Sequence, residues 1–379
     1  MPHAPRLVVP IDDLWRTFVG DARFAPNLVA VRDQPARPAR HAPWPAAVAP
    51  AVVAAAARRG MAAPYRHQAA AIAAALAPGE APVAVATGTA SGKSLCFAAP
   101  ILDALVRDPE ARALCLFPTK ALAQDQLASL HAWQAALDEA ADGAGGPAAP
   151  VVAPATYDGD TPSAHRARVR ATARIVLTNP DMLHAGLLPR HAAWAPFLAG
   201  LRYVVVDEMH VYRGVFGSHV ANVLRRLRRV AAFHGARPRF LLTSATIANP
   251  GALAAALAGG EPVVVDDDGA PAGRRLFACY NPPVVDAALG LRRGVVAEAE
   301  PVVRHFLAGG VQTIAFARAR QTAELLLRRL ATGPTAGAVR GYRGGYTASE
   351  RRTIEAALRD GRLRGVVATN ALELGVDIG

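Results

Sequence analysis

Lysine is almost missing from this chain. Of 42 basic residues among 379, two are lysines, Lys93 and Lys120, and 40 are arginines. Arginine meets the general need for positive charge, so a retained lysine marks a place that wants a compact ammonium on a flexible stem rather than a planar fork. Cysteine is scarce too: Cys96, Cys115 and Cys279 are scattered and odd in number. That excludes a disulfide framework and a cysteine metal site, and it predicts a reducing, cytoplasmic setting. Long apolar runs are missing. The most apolar early stretch, 46–57, is broken by Pro50 and falls short of the roughly 20 residues that span a bilayer. The first residues carry no secretory pattern. Aromatics are 6%, and Trp15, Trp44, Trp133 and Trp194 each stand alone among apolar neighbours, which favours packing over base stacking.

What is present describes a globular chain: 52% hydrophobic, 19% charged and long enough for two domains. The formal charge of +12 fits either a polyanionic partner or an arginine-rich but merely soluble surface. Residues 1–55 are rich in proline and read as an extended arm packed on a core. From 56 to 285, β-rich runs such as Ala113–Phe117, Tyr203–Val206 and Phe240–Leu242 alternate with helical stretches, the pattern of a parallel α/β sheet with helices on both faces. Gly143–Pro150 is a surface insertion in that series. A second, shorter β/α series fills 286–379 and stops in mid-pattern, as in a fragment of a longer protein.

The strand at Val83–Ala86 runs into Thr87-Gly88-Thr89-Ala90-Ser91-Gly92-Lys93-Ser94. Backbone N–H groups of such a loop, and the helix it opens, cradle phosphates, with Lys93 reaching the β- and γ-phosphates. Thr87 stands where the usual pattern has its first glycine. Ser94 is predicted to hold Mg²⁺ through its hydroxyl. Asp207, at the end of the apolar run Tyr203–Val206, is the second predicted Mg²⁺ ligand, and Glu208 is placed to polarise an attacking water. Leu224-Arg225-Arg226-Leu227-Arg228-Arg229 reads as a phosphate track or, in preference, as a solvated helix face over two buried leucines.

Together with Thr243-Ser244-Ala245-Thr246, these elements resemble, in order and spacing, the superfamily 2 helicases of the DExH type. The resemblance implies two RecA-like parallel-sheet domains, the second incomplete, with ATP and Mg²⁺ as cofactors. Single-stranded or tailed duplex DNA is the implied partner, with RNA the lesser alternative. Tyr65-Arg66-His67-Gln68 resembles the family's Q motif, which implies that Tyr65 and Gln68 meet the adenine. Pro118-Thr119-Lys120 and Thr178-Asn179 resemble strand-gripping loops, and Thr369 a further backbone contact. His210, Ser244 and Thr246 are implied to couple the nucleotide site to the strand, with His210 bonding across a domain interface. Gly375 and Asp377 are implied to face the nucleotide from the second domain. Tyr212-Arg213-Gly214-Val215-Phe216-Gly217-Ser218-His219 and Tyr342-Arg343-Gly344-Gly345-Tyr346 narrow the resemblance to the YprA/MrfA, Hrq-type group of RecQ-related DNA helicases. That group implies 3′→5′ movement and a role in DNA repair. The family's arginine-bearing motif VI would follow Gly379, so residues 1–379 alone are expected to bind ATP and turn it over weakly. Two rival readings stand beside this one: a translocase that does not unwind, and a binding module with an inert nucleotide site.

Overall fold

The computed structural model describes residues 9–142, 151–369 and 372. The predicted insertion 143–150, and Gly375 and Asp377, lie outside the described residues. The chain divides into two compact units: Ala36–Gly273, and Met1–Pro35 together with Arg274–Gly379.

The unit Ala36–Gly273 is built on seven parallel strands. Their order across the sheet is Pro154–Thr156, Ile175–Thr178, Arg112–Leu116, Leu201–Val206, Arg239–Ser244, Val83–Ala86 and Val263–Val265. The central strands are buried along their length because helices cover both faces. Side chains alternate between two cores with the strand period of two. Val83, Val85, Tyr203 and Val205 join Ile72, Phe97 and Trp133 on one face. Ala84, Val204, Val206 and Phe240 join Trp194, Phe197, Leu224 and Leu227 on the other. Leu224 and Leu227 are fully buried under the helix Gly214–Phe233, as their three-residue spacing predicts. The tryptophans also pack. Trp133 and Trp194 are buried, Trp44 Nε1 donates to Ala62 O at 3.1 Å, and Trp15 stacks on Phe18.

One buried arginine ties the helix Arg66–Leu76 to the sheet. A helix leaves its last carbonyls without partners, and Arg239, at the start of its strand, collects them. Its guanidinium donates to Ala74 O at 3.0 Å, to Ala75 O and Ala77 O at 2.7 Å, and to Gly79 O. The cation thus closes the C-terminal end of the helix that leads in from Tyr65.

The other unit holds three parallel strands in the order Thr313–Phe316, Gly365–Ala368, Val339–Tyr342, with helices Val295–Ala308, Arg320–Leu330 and Ala348–Arg359. Thr347 and Glu350 form a capping box on the last of these. An antiparallel ribbon pairs Leu28–Gln34 with Arg275–Tyr280. Helix Ile11–Gly20 stacks Phe18 against His305 and Phe306. The proline-rich segment 1–55 is therefore not one extended arm. It contains a helix and a strand that belong with residues after 274, then passes into the seven-stranded unit at Ala36. The change of unit at Gly273 falls before the boundary at 285 that the sequence predicts, because the ribbon strand Arg275–Tyr280 finds its partner near the N-terminus. No helix among the described residues is long and apolar enough to cross a membrane.

Replacing Arg239 by Met strands three partly buried carbonyls, those of Ala74, Ala77 and Gly79, while Ala75 O keeps the Tyr203 hydroxyl at 3.2 Å. The expected loss is about 3–5 kcal/mol of stability, read as a lowered urea midpoint with an unchanged slope. A loss below about 1 kcal/mol would show that water replaces the guanidinium at no cost.

Candidate functional site

Three neighbouring strands, Leu201–Val206, Arg239–Ser244 and Val83–Ala86, end side by side. Ligands of open parallel sheets bind at such carboxyl ends. The loop after Val83–Ala86 is shaped by two left-handed residues, Ala90 (φ +58°) and Gly92 (φ +73°). A Cβ on Gly92 would come within 2.5 Å of Gln68 Nε2, so this position needs glycine twice over. Ala90 takes the same kind of conformation with a side chain and stores strain in the loop. Thr87 and Ser91 hydroxyls bond at 2.7 Å across the turn. Lys93 Nζ folds over the loop and donates to Gly88 O at 2.7 Å and Thr87 O at 3.3 Å. Thr89 belongs to the same turn, and Ser94 opens the helix Ser94–Arg107.

Gln68 is buried and joins two elements. Its Oε1 accepts from Tyr65 N at 2.8 Å and its Nε2 donates to Gly92 O at 2.8 Å. Half of the amide's bonding capacity is thus spent on the protein, and one N–H and one lone pair are left for a base.

Asp207 is buried, and the Thr243 hydroxyl donates to its carboxylate. Burial first, and then the neighbouring Glu208, push its pKa up to about 6 against the pull of Thr243 and Lys93. Glu208 is itself in the left-handed region (φ +50°), and burial raises its pKa as well. The Glu208 Oε2 atom is buried without a hydrogen-bond partner among the described residues; it lies 3.3 Å from His210 Nδ1, a favourable contact only when that nitrogen is protonated. His210 Nδ1 also stands 3.3 Å from Ser244 Oγ and accepts from Ala245 N at 3.4 Å. His210 and Ser244 are therefore brought together inside one unit. Ser244 is buried, whereas Thr246 is exposed on the same turn.

These donors fit Mg²⁺. A desolvated carboxylate, an unsatisfied carboxylate oxygen beside it and a serine hydroxyl suit a hard cation that takes few protein ligands and relies on substrate phosphates. No cluster of three metal-binding side chains exists among the described residues, so a cage built from protein alone is not what these residues offer.

Two participants were not visible in the sequence. Gln126 Nε2 donates to Ser94 Oγ at 3.1 Å, which orients the proposed metal ligand from the helix Lys120–Asp142. Asp268 Oδ2 accepts from Gly88 N at 3.2 Å and pairs with Arg37 at 3.3 Å. Burial pushes its pKa up, but the N–H groups of Ala270 and Gly88, with His67 and Arg37, outweigh burial and hold it below the usual carboxylate range. Asp268 lies 180 residues from the loop it touches, and no local pattern announces it.

The predicted strand contacts are placed unevenly. Thr119 Oγ1, after Pro118, accepts from Leu122 N at 3.3 Å at the start of the helix Lys120–Asp142. Lys120 pairs with Asp160 at 2.7 Å on the surface, and such exposed pairs are worth little, so the ammonium is easily released to a phosphate. Asn179 Oδ1 accepts from Met182 N at 2.8 Å and caps a short helix. Thr178 departs from expectation: its side chain is buried and its hydroxyl donates to Tyr157 O at 2.6 Å. It supports the loop from below and is not presented at the surface. Thr369, in the other unit, is also buried, with its N–H on Tyr342 O at 3.1 Å.

Residues 65–253 match the family described as DEAD/DEAH box helicase. The chain belongs to that family. It is 46% identical over 368 residues to the ATP-dependent helicase YprA of Bacillus subtilis, covering 96% of this chain and 47% of that protein. It is 40% identical over 325 residues to the ATP-dependent helicase HRQ1 of Saccharomyces cerevisiae, covering 83% of this chain and 29% of that one. The crystal structure of the DUF1998 helicase MrfA bound to DNA and AMPPNP superposes with a TM-score of 0.84 at 44% identity, over 97% of this chain and 50% of that one. At 17% identity, Mss116p bound to single-stranded RNA shares the RecA-like fold alone (TM-score 0.66, over 88% of this chain and 65% of that one). This DEAD/DEAH chain spans about half the length, or less, of the relatives it matches.

The raised pKa of Asp207 sets a pH dependence. Between about pH 4, where an unfolded aspartate ionises, and about 6, its folded value, the folded state holds more protons than the unfolded state. Stability therefore falls as pH rises through that window. Asp207→Asn removes this contribution. Urea unfolding of wild type and variant from pH 4 to 7 should show their stability difference moving in the variant's favour by about 2–3 kcal/mol. Parallel profiles would mean that Asp207 is ionised throughout.

Proposed function

We propose that this chain is the motor portion of an ATP-dependent DNA helicase, which uses MgATP hydrolysis to move along single-stranded DNA. The observation that carries this is the convergence of Lys93, Asp207 with Thr243, and Glu208 at the ends of three adjacent strands. Support comes also from the resemblance to YprA, HRQ1 and DNA-bound MrfA.

In this reading Lys93 leaves the carbonyls of Thr87 and Gly88 for the β- and γ-phosphates. The N–H groups from Thr89 to Ser94 turn to the phosphates, and Tyr65 and Gln68 border the base. Ser94 and Asp207 hold Mg²⁺, which neutralises charge on the phosphates when bound. Glu208, half-buried with a raised pKa, orients the attacking water and takes its proton, as a general base does best when its pKa approaches the working pH. The network from Glu208 through His210 to Ser244 then carries the change at the nucleotide to the Thr243–Thr246 turn. Thr119, Lys120 and Asn179 grip the strand through its backbone, with no sequence preference and with affinity that falls with salt. Movement 3′→5′ and work in DNA repair follow from the group resemblance.

Lys93→Ala in the full-length protein is expected to lose nucleotide affinity at least tenfold and DNA-stimulated turnover about a hundredfold or more. Glu208→Gln should keep nucleotide binding and lose turnover by about 10²–10⁴. Equal turnover in wild type and Glu208→Gln would remove the glutamate from the chemistry. A tailed duplex separates the two motor readings: ATP-dependent movement without release of a strand would make the protein a translocase that does not unwind.

A further inference from the structure

Residues 182–260 contain nine arginines, five histidines and two carboxylates, and both carboxylates, Asp207 and Glu208, stand in the nucleotide site. Elsewhere in this chain arginine is commonly paired: Arg37 with Asp268, Arg40 with Asp267, Arg107 with Asp103, Arg274 with Asp12 and Asp33. On the helix Gly214–Phe233, among the described residues, Arg225, Arg226, Arg228 and Arg229 have no acidic partner. Arg225 and Arg229 stand four apart on one helical face, where like charges repel. None of these arginines lies in the last turn, where the helix dipole would reward them. The arrangement costs the folded protein something, and no ion pair among the described residues offsets it.

These arginines border a groove of about 990 Å³ between the helix and the 180–184 turn. The groove has fixed walls. Arg226 Nη2 bridges to His184 O at 2.9 Å and stands 3.1 Å from His184 Nδ1, and Arg228 turns away to stack on Phe240. Arg225 leans on Asn222 at 2.8 Å, and Arg229 is exposed. In the helix's first turn Phe216 lines the same groove, 46% exposed and tilted against the Tyr212 ring at 5.8 Å, and Val215 beside it is 76% exposed. A cationic groove with an open aromatic face is the combination that binds unpaired nucleotides, the charges tracking phosphates and the ring stacking a base. The far wall starts at Pro180 and Asp181, next to Asn179 of the proposed strand-gripping loop. The Asp181 carboxylate repels phosphate at that wall and leaves the arginine side as the track.

We infer that this groove is a second binding segment for single-stranded nucleic acid, continuing the strand past Asn179, with phosphates on Arg225 and Arg229 and a base on Phe216. The inference rests on the motor reading above for its partner but on separate residues. Arg225→Gln/Arg229→Gln and Phe216→Ala, in the full-length protein, test it by fluorescence anisotropy with oligo-dT of about 8 and about 20 nucleotides. In the wild type the longer strand should bind more tightly. The double variant should lose that advantage about tenfold or more, and its log–log salt slope should fall by about 1.4, two phosphate contacts on a single strand. Phe216→Ala should lose about tenfold for the longer strand with the slope unchanged. Nucleotide affinity and melting temperature should match wild type in both. Retention of the length advantage and the slope in both variants overturns the groove while leaving the motor reading intact. A loss seen only with blunt duplex assigns the groove to duplex and overturns the inference. A wild type that binds neither oligonucleotide overturns both.

Discussion

A carboxylate held away from water needs a cation, and this site is arranged around that need. Asp207 is buried at a strand end with one hydroxyl donor, beside a second carboxylate whose pKa is also raised. The nearest help from the chain is the ammonium of Lys93, itself folded onto loop carbonyls. Charges left this far from balance are costly. In the motor reading a magnesium triphosphate would supply both missing partners at once: a cation for the carboxylates and anionic oxygens for the lysine. The site is thus complementary to the charge pattern of its ligand more than to its own folded state. Strain in the same place, at Ala90 and Glu208, is in keeping with backbone held for function.

The parallel sheet makes this juxtaposition possible. Residues 93, 207 and 243 are far apart in the chain, yet their strands are consecutive in the sheet. Arg239 secures one side of this arrangement by closing the helix that begins at Arg66. Gln68, in the first turn of that helix, then reaches Gly92. Helix end, strand start and phosphate loop are joined by side chains that never touch a ligand in the motor reading, Gln68 excepted.

Much of this was legible in the sequence because it is local. Continuous apolar runs marked the central strands, three-residue spacing marked Leu224 and Leu227, and the Gly92-Lys93-Ser94 turn marked the loop. What escaped depends on distant partners. Val263–Val265 and Pro154–Thr156 are short edge strands that gain their form from one neighbour each. The ribbon strand Leu28–Gln34 exists only because Arg275–Tyr280 pairs with it. Asp268 and Gln126 reach the site from positions outside any motif. Thr178 was misplaced because a motif reports a position in the chain and not the direction of a side chain; here the Tyr157 carbonyl claims the hydroxyl.

Charge segregation explains how one unit can serve two anions. Asp267 and Asp268 stand near the phosphate loop and are each balanced by arginine: Asp267 with Arg40 and Arg66, Asp268 with Arg37. That region is close to neutral, so attraction there falls to Lys93 and the loop N–H groups, which act over a few ångströms and suit a compact triphosphate. The helix Gly214–Phe233 is the reverse, with arginines that have no carboxylate ion-paired to them among the described residues, Asp181 standing on the far wall of their groove. Uncancelled charge acts out to a Debye length, about 8 Å at physiological salt, and suits a long, repeating anion met first at a distance. Arginine serves the second purpose because it stays charged and can stack as well as bond. The chain's two lysines stand where a single flexible ammonium must let go of one partner to take another: loop carbonyls at Lys93, Asp160 at Lys120.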